Sequence, residues 1–206
     1  MIYATDLANQ LRAELDRAMA TMRHIADMIE ALDVSSPRMV DVPYRSQWDA
    51  DGGLSRGDCG PACIAMLLEW RGVKVSIDDI TRETSMGPTN AGKLIAAASK
   101  HGLMRITRLS DMTLADVERN IEAGKPLVAL VNYADFGDRR QDLKYNGLHW
   151  LVVVGYDAQN IYINDPDYWS GRRLEGMQHP IARAVFERAW DHTMPDALNR
   201  QALVIV

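Results

Sequence analysis

The chain has 206 residues, 47% of them hydrophobic, and a formal net charge of −5. This length and composition indicate one globular domain, with or without an appendage, and exclude a disordered tail. The acidic charge argues against nucleic acid as a partner, and the sequence has no bilayer-spanning apolar run and no signal-peptide pattern, so we expect no membrane association.

Residues 5–32 have the pattern of a long amphipathic helix with Thr5 or Asp6 as its N-cap. Its apolar residues recur at alternating spacings of three and four, which is a heptad pattern: Ala8, Leu11, Leu15, Ala18, Met22, Ile25, Ile29 and Leu32. Three to four heptads are the lower limit of a coiled-coil signal, so self-association or docking and packing on the chain's own domain are equal alternatives. Ser35-Ser36-Pro37 separates this helix, residues 1–36, from a domain over residues 37–206.

The segment from Arg56 to Trp70 places a cysteine where a helix begins. Pro61 suits the first turn of that helix, and Gly72 suits its C-terminal end. Unpaired N–H groups and the positive dipole end at a helix N-terminus favour a thiolate, so Cys59 is the candidate nucleophile. Cys63 lies four residues further on the same helix, too constrained for an ordinary disulfide, and is expected in the core. A chain without structural disulfides suits a reducing compartment, and we expect a cytoplasmic location.

The rest of the sequence predicts mainly helices first and mainly strands after them. Met39 to Tyr44 predict a short edge strand, and Ser76, Thr89 or Asn90, and Thr113 cap three predicted helices. Apolar stretches at residues 126–133, 149–156, 161–165 and 202–206 then predict strands, with one helix over residues 184–190. Helices followed by strands indicate an α+β fold.

A cysteine nucleophile requires a base, an orienting group and donors for an oxyanion. Of the five histidines, His149 alone opens a strongly apolar strand, where the alternative is a core histidine. Asp165 ends the partner strand of the same hairpin. Gln47 lies twelve residues before Cys59, at a position from which its amide can reach the oxyanion together with the backbone N–H of Cys59.

The register of that hairpin leaves two candidates for the orienting group. Side chains alternate faces along a strand, and opposed residues share a face. A direct four-residue loop between the two strands places Asn164, not Asp165, on the face of His149. An irregularity between Val154 and Ile161 brings Asp165 onto that face instead.

As a set, these motifs resemble those of papain-like cysteine peptidases, and more narrowly the bacteriocin-processing (double-glycine leader) peptidases and their freestanding relatives. The resemblance covers about residues 39–168 and follows four segments in order: Val42-Pro43-Tyr44 with Gln47, Asp58 to Cys63, His149 with its apolar strand, and Asn164-Asp165-Pro166. It implies two lobes, with the Cys59 helix in a helical lobe, His149 in an antiparallel sheet lobe, and the substrate between them.

The resemblance also implies the roles of the site residues. Cys59 is the nucleophile, His149 the general base and then acid, Asp165 the orienting group and Gln47 an oxyanion donor. Because the resemblance assigns Asp165, it predicts the strand irregularity as well. The heptad helix and the segment Asp167 to Arg173 lie outside the matched motifs, and Trp169 with two arginines is either an exposed loop or a substrate subsite.

The expected function is therefore a cysteine peptidase that acts on a peptide or protein substrate without a cofactor. No membrane-spanning or ATP-binding segment follows the motifs, so export-coupled leader processing is not expected. Asp49 to Gly52 resemble only half of a calcium loop and lack its closing glutamate, so we expect no metal. The alternatives are an acyltransferase or deamidase on the same scaffold, and a non-catalytic binding module that acts through the N-terminal helix.

Overall fold

The computed structural model describes residues 2–49, 57–84, 89–191 and 199–206. The chain divides into two compact units, Met1–Pro37 and Arg38–Val206. Within the described ranges, no helix combines the length and the apolar character that crossing a membrane requires.

The first unit contains a single long helix, α1, over Ile2–Ser35. Thr5 and Asp6 lie inside this helix, so the prediction that one of them is its N-cap is wrong. Ile2, Tyr3 and Ala4 include no glycine or proline, and the helix extends over them. At its other end α1 stops two residues before Pro37, because a residue that precedes proline is disfavoured in the helical conformation.

The second unit begins with a two-residue strand, β1 (Arg38–Met39), followed by three helices: α2 (Cys59–Trp70), α3 (Ile77–Glu83) and α4 (Ala91–Lys100). Ser76 and Asn90 cap α3 and α4 through their side chains, as predicted. Gly72 follows the end of α2 with a positive φ of 82°, which glycine adopts without strain. Nine of the twelve residues of α2 are buried, because this helix packs against α3, α4 and the sheet.

The rest of the unit forms an antiparallel sheet with two covering helices. The strands are β2 (Ile106–Leu109), β3 (Leu127–Asn132), β4 (Leu148–Tyr156), β5 (Asn160–Asn164), β6 (His179–Ala182) and β7 (Ala202–Ile205), and the helices are α5 (Leu114–Glu122) and α6 (Arg183–Trp190). The strand order is β2-β7-β3-β4-β5-β6, and β1 pairs with the end of β4. This arrangement confirms the predicted α+β fold, a helical part followed by an antiparallel sheet.

The predicted irregularity in the β4–β5 hairpin is present. Val152 pairs with Asn164, but Gly155 pairs with Tyr162, so Val154 is one extra residue on β4. Val154 is not left unpaired, because its carbonyl accepts a 2.7 Å hydrogen bond from the backbone N–H of Val40. The extra residue changes the parity of the register, and the residue after Asn164 thereby shares the face of His149.

Candidate active site

Cys59 is the first residue of α2 and is half-buried, whereas Cys63 lies one turn further on and is fully buried; both are free thiols. Burial raises the pKa of the Cys63 thiol well above its ordinary value. Position 60 favours glycine for a steric reason, because a Cβ atom at Gly60 would collide with Oγ1 of Thr89. The geometry thus presents one cysteine at a helix N-terminus and keeps the other in the core.

His149 and Asp165 form a buried pair. The Nε2 atom of His149 lies 2.7 Å from Oδ1 of Asp165, and each side chain is at most 3% exposed. Burial opposes the charged imidazolium, but the Asp165 charge and the hydrogen bonds to Asp165 and Cys59 outweigh it, so the pKa of His149 is raised well above its ordinary value. Burial likewise opposes the carboxylate, but the charge and hydrogen bond of His149 hold the pKa of Asp165 below its ordinary value. His149 is therefore hydrogen-bonded to Asp165 and lines the same cleft as Cys59.

Asn164, the other candidate for the orienting group, has a different set of contacts. Its Nδ2 donates to the carbonyl of Val42 (3.1 Å), and its Oδ1 accepts from the backbone N–H of Gln178 (2.9 Å). It is buried and joins two backbone segments. The structure thus brings Asp165, and not Asn164, to His149.

Tyr133 contacts both members of the His149–Asp165 pair, although no motif or spacing in the sequence predicted it. Its hydroxyl donates to Oδ2 of Asp165 at 3.0 Å, and its ring centroid lies 4.2 Å from that of His149. Burial, and then the Asp165 charge, raise the pKa of Tyr133, so the phenol stays a donor. Tyr133 follows β3 directly, and Val131 of β3 pairs with His149, which explains why the two rings meet.

Gln47 lies in a loop that is bonded to the chain around Asp165. The backbone N–H of Gln47 donates to the carbonyl of Pro166 (2.9 Å), and the hydroxyl of Tyr44 donates to the carbonyl of Asp165 (2.9 Å). Gln47 is 2% exposed, and its Oε1 has no hydrogen-bond partner among the described residues. This loop brings the Gln47 amide to the same cleft as Cys59.

The cleft is narrow, and seven residues line it: Gln47, Trp48, Cys59, Asp142, Tyr145, His149 and Asp167. Asp142 and Tyr145 belong to a charged loop that forms one side of the cleft, and hydrogen bonds from Arg140 hold this loop in place. The guanidinium of Arg140 donates to the carbonyls of Gly137, Leu143 and Tyr145. Trp48, Asp142, Tyr145 and Asp167 were not predicted, because they lie in loops without any periodic pattern.

The segment Asp167 to Arg173 contacts the Gln47 loop. The rings of Trp48 and Trp169 lie 5.2 Å apart, and Arg173 donates two hydrogen bonds, of 2.7 and 2.8 Å, to Asp49. Arg172 instead pairs with Glu175. Both arginines are therefore engaged by carboxylates, and neither lines the cleft.

The part of the chain that the structure describes contains no group of three His, Cys, Asp or Glu side chains arranged to hold a metal ion. Asp49, the first residue of the half calcium loop, is paired with Arg173, and the residues after it lie outside the described ranges. The other histidines are elsewhere: His24 is exposed on α1, His101 bonds Glu83, and His179 contacts the carbonyl of Glu175. His192 lies outside the described residues.

Comparison with known proteins agrees with this geometry. Residues 39–197 match the Peptidase_C39 like family, so the chain belongs to that family. The chain thus has the papain-like fold of C39-type peptidases.

Individual relatives are distant. The chain is 23% identical over 205 residues to the uncharacterized protein YvpB of Bacillus subtilis (strain 168), covering 82% of this chain and 76% of YvpB. A solved structure from Bacillus anthracis described as a C39-like peptidase has a TM-score of 0.64 at 20% identity, covering 83% of this chain and 98% of that one. The peptidase domain of Streptococcus ComA, a bi-functional ABC transporter involved in quorum sensing, has a TM-score of 0.53 at 18% identity, covering 80% and 98%.

Proposed function

We propose that the protein is a cysteine peptidase that hydrolyses peptide bonds through an acyl-enzyme. One observation carries the proposal: the His149 imidazole is hydrogen-bonded to the buried Asp165 carboxylate and lines the same cleft as the Cys59 thiol at the start of α2. A histidine kept only for packing has no need of a buried carboxylate on one nitrogen and a helix-terminal thiol near the other.

In the first half of the reaction, the Cys59 thiolate attacks the carbonyl carbon of the scissile bond. The carbonyl π electrons move to oxygen, where the Gln47 amide and the backbone N–H of Cys59 stabilise the oxyanion. When the tetrahedral intermediate collapses, the imidazolium of His149 gives its proton to the leaving amine, and a thioester remains on Cys59.

In the second half, neutral His149 takes a proton from water, and the resulting hydroxide attacks the thioester carbonyl. The second tetrahedral intermediate expels the Cys59 thiolate and releases a carboxylic acid, while the proton remains on His149. Asp165 keeps the imidazole in one orientation and stabilises its charged form through both halves.

The same thioester also serves an acyltransferase, in which an amine replaces water, or a deamidase, in which ammonia is the leaving group. Neither alternative is favoured by a contact in the cleft. The linked Cys59, His149 and Asp165 side chains argue against a non-catalytic binding module, because binding through α1 requires none of them.

The test is digestion of a mixed peptide library in water enriched in oxygen-18, with products identified by mass spectrometry. We expect new C-termini that contain one heavy oxygen, loss of all cleavage in Cys59→Ser, and retained cleavage in the matched control Cys63→Ala. Joined peptides would indicate acyl transfer, and side-chain amide loss alone would indicate a deamidase. Intact peptides with the unmodified protein would contradict the proposal.

A further inference from the structure

Asp167 is a buried carboxylate in the wall of the cleft. Its side chain is 5% exposed, and it lines the cleft together with Cys59 and His149. Its backbone N–H donates to Oδ1 of Asp165 at 3.0 Å, so the main chain at this position is fixed relative to the His149–Asp165 pair. None of the roles assigned above requires a carboxylate here.

The charge of Asp167 has no cationic partner of its own within the described residues. Its one side-chain hydrogen bond comes from the uncharged indole of Trp48, 3.1 Å from Oδ1. The imidazole of His149 lies near enough to favour the carboxylate, but its Nε2 atom is already hydrogen-bonded to Asp165. By contrast Asp49, in the same loop as Trp48, accepts two hydrogen bonds from the guanidinium of Arg173.

The surroundings of Asp167 change the pKa of its carboxyl group. Burial, together with the charges of Asp165 and Asp142, raises the pKa of Asp167 in spite of the opposing effect of His149. A buried carboxylate without a counter-charge is costly, and a cation placed beside it recovers much of that cost.

The neighbouring surfaces suit the same kind of ligand. Trp48 and Tyr145 line the cleft next to the carboxylates of Asp167 and Asp142. The indole of Trp48 is held between the Asp167 carboxylate and the ring of Trp169. Aromatic faces attract ammonium and guanidinium groups, and the attraction grows when water is excluded.

We propose that Asp167 and Trp48 form a subsite for a positively charged substrate side chain, lysine or arginine, next to the scissile bond. This inference rests on the proposed peptidase function. It names the substrate class: peptides with a basic residue adjacent to the cleaved bond.

The first test measures specificity with matched peptides that carry lysine, its uncharged analogue norleucine, or glutamate at each position around the cleaved bond. At one position we expect kcat/KM for lysine to exceed that for norleucine by about tenfold, with glutamate lowest. Asp167→Asn should reduce the lysine-to-norleucine ratio toward one. Asp138→Asn removes an exposed acid that does not line the cleft, and it should leave the ratio unchanged.

The second test requires no peptide cleavage. The Cys59 thiolate attacks the sulfenyl sulfur of an alkyl methanethiosulfonate, forming a mixed disulfide and releasing methanesulfinate. The cationic 2-aminoethyl reagent and the neutral propyl reagent have nearly the same shape, so the ratio of their rates at Cys59 measures the attraction for a cation. We expect Asp167→Asn, but not Asp138→Asn, to lower this ratio several-fold.

The outcomes separate the two proposals. Absence of cleavage of every peptide contradicts the peptidase function, and the reagent ratio still tests the subsite. Cleavage without a lysine preference, or a preference and a reagent ratio that Asp167→Asn leaves unchanged, overturns the subsite. A preference for norleucine over lysine would mean that the subsite favours an apolar side chain over a cation, and it overturns the inference as well.

Discussion

Three hydrogen bonds converge on the buried carboxylate of Asp165, and together they fix its orientation. Oδ1 accepts from His149 and from the backbone N–H of Asp167, and Oδ2 accepts from Tyr133. Because the Tyr133 ring also lies against the imidazole, this one side chain restrains both members of the pair. We infer that Tyr133 is a positioning residue.

Tyr133→Phe keeps the ring and removes only the hydroxyl, so we expect kcat to fall about tenfold or more while KM changes little. The control is Tyr162→Phe, which removes a similar hydroxyl-to-carboxylate bond, to Asp157, outside the cleft lining. Rates are divided by the concentration of active sites titrated with a thiol probe, so that a loss of folded protein does not count as a loss of catalysis. An unchanged kcat per titrated site would exclude a positioning role.

We also expect Asp165 to set the pH range of activity. The pKa of His149 is raised, so the imidazolium persists above pH 6.5 and is lost as the pH rises through that raised value. Asp165→Asn removes the charge that opposes the effect of burial, and the pKa of His149 must then fall. We expect the alkaline limb of kcat/KM to move to lower pH and the maximal rate to drop on the order of 10²–10⁴-fold. An alkaline limb that stays in place would contradict this role for Asp165.

The sequence predicted Cys59, His149, Asp165 and Gln47, because each belongs to a recognisable motif or opens or ends an element. It did not predict Tyr133 or Asp167. Tyr133 follows an apolar strand and reads as one more core residue, and Asp167 lies in a loop where no spacing constrains its side chain. Their importance comes from contacts between segments distant in sequence, which a single sequence does not display.

At the scale of the elements, the extra residue Val154 decides which side chain reaches His149. With it, Asp165 lies on the face of His149 and Asn164 contacts Val42 and Gln178 on other segments. Without it, the parity of the pairing would exchange the two. The alternation of side chains along the hairpin leaves both residues open from the sequence alone, and only the family resemblance predicted that an irregularity brings Asp165 to His149.

Two substitutions test this register. Asp165→Ala should lower kcat per titrated site at least 100-fold. Asn164→Ala should leave kcat per titrated site within a few-fold, yet lower the free energy of unfolding by about 1–3 kcal/mol, because it removes the partner of the buried Val42 carbonyl and the hydrogen bond from the backbone N–H of Gln178. The measurements are active-site-titrated kinetics and denaturant unfolding of each variant. If Asn164→Ala were the more damaging to kcat, the orienting group would be Asn164.

Element boundaries were predicted best where a cap or a glycine marks them. Ser76, Asn90 and Thr113 open helices through side-chain hydrogen bonds, and Gly72 follows the end of α2. The strands β2 and β6 were not predicted. Each has only four residues, too few for an alternation of buried and exposed side chains to be recognised in the sequence. The strand predicted from Met39 to Tyr44 is reduced to Arg38–Met39, since it pairs only with the last two residues of β4.

At the scale of the whole molecule, α1 is a unit of its own with a heptad seam. The seam side chains Leu11, Leu15, Met22 and Ile25 are 48–66% exposed. A row of exposed apolar side chains at heptad spacing is typical of a helix that binds another helix. We therefore expect α1 to mediate self-association or docking, separately from catalysis.

For self-association, light scattering on the full chain should give a mass of at least twice 23.1 kDa. Leu15→Asp combined with Met22→Asp should return it to the monomer mass without changing peptide cleavage, and a chain that starts at Ser36 should behave in the same way. Asp16→Asn with Arg23→Gln changes polar positions off the seam and serves as the control. A monomeric full chain would contradict self-association through α1.

The central claim is that Cys59, and not Cys63, is the nucleophile, and the relative alkylation rates of the two thiols test it most directly. Iodoacetamide is applied to the native protein at neutral pH, and the modified peptides are quantified by mass spectrometry over time. Cys59 lies at a helix N-terminus beside His149, whereas burial shields Cys63 and raises its pKa. We predict modification of Cys59 at least about 100-fold faster, with peptide cleavage lost in step with it. Equal rates, faster modification of Cys63, or full cleavage activity after Cys59 is modified would contradict the account.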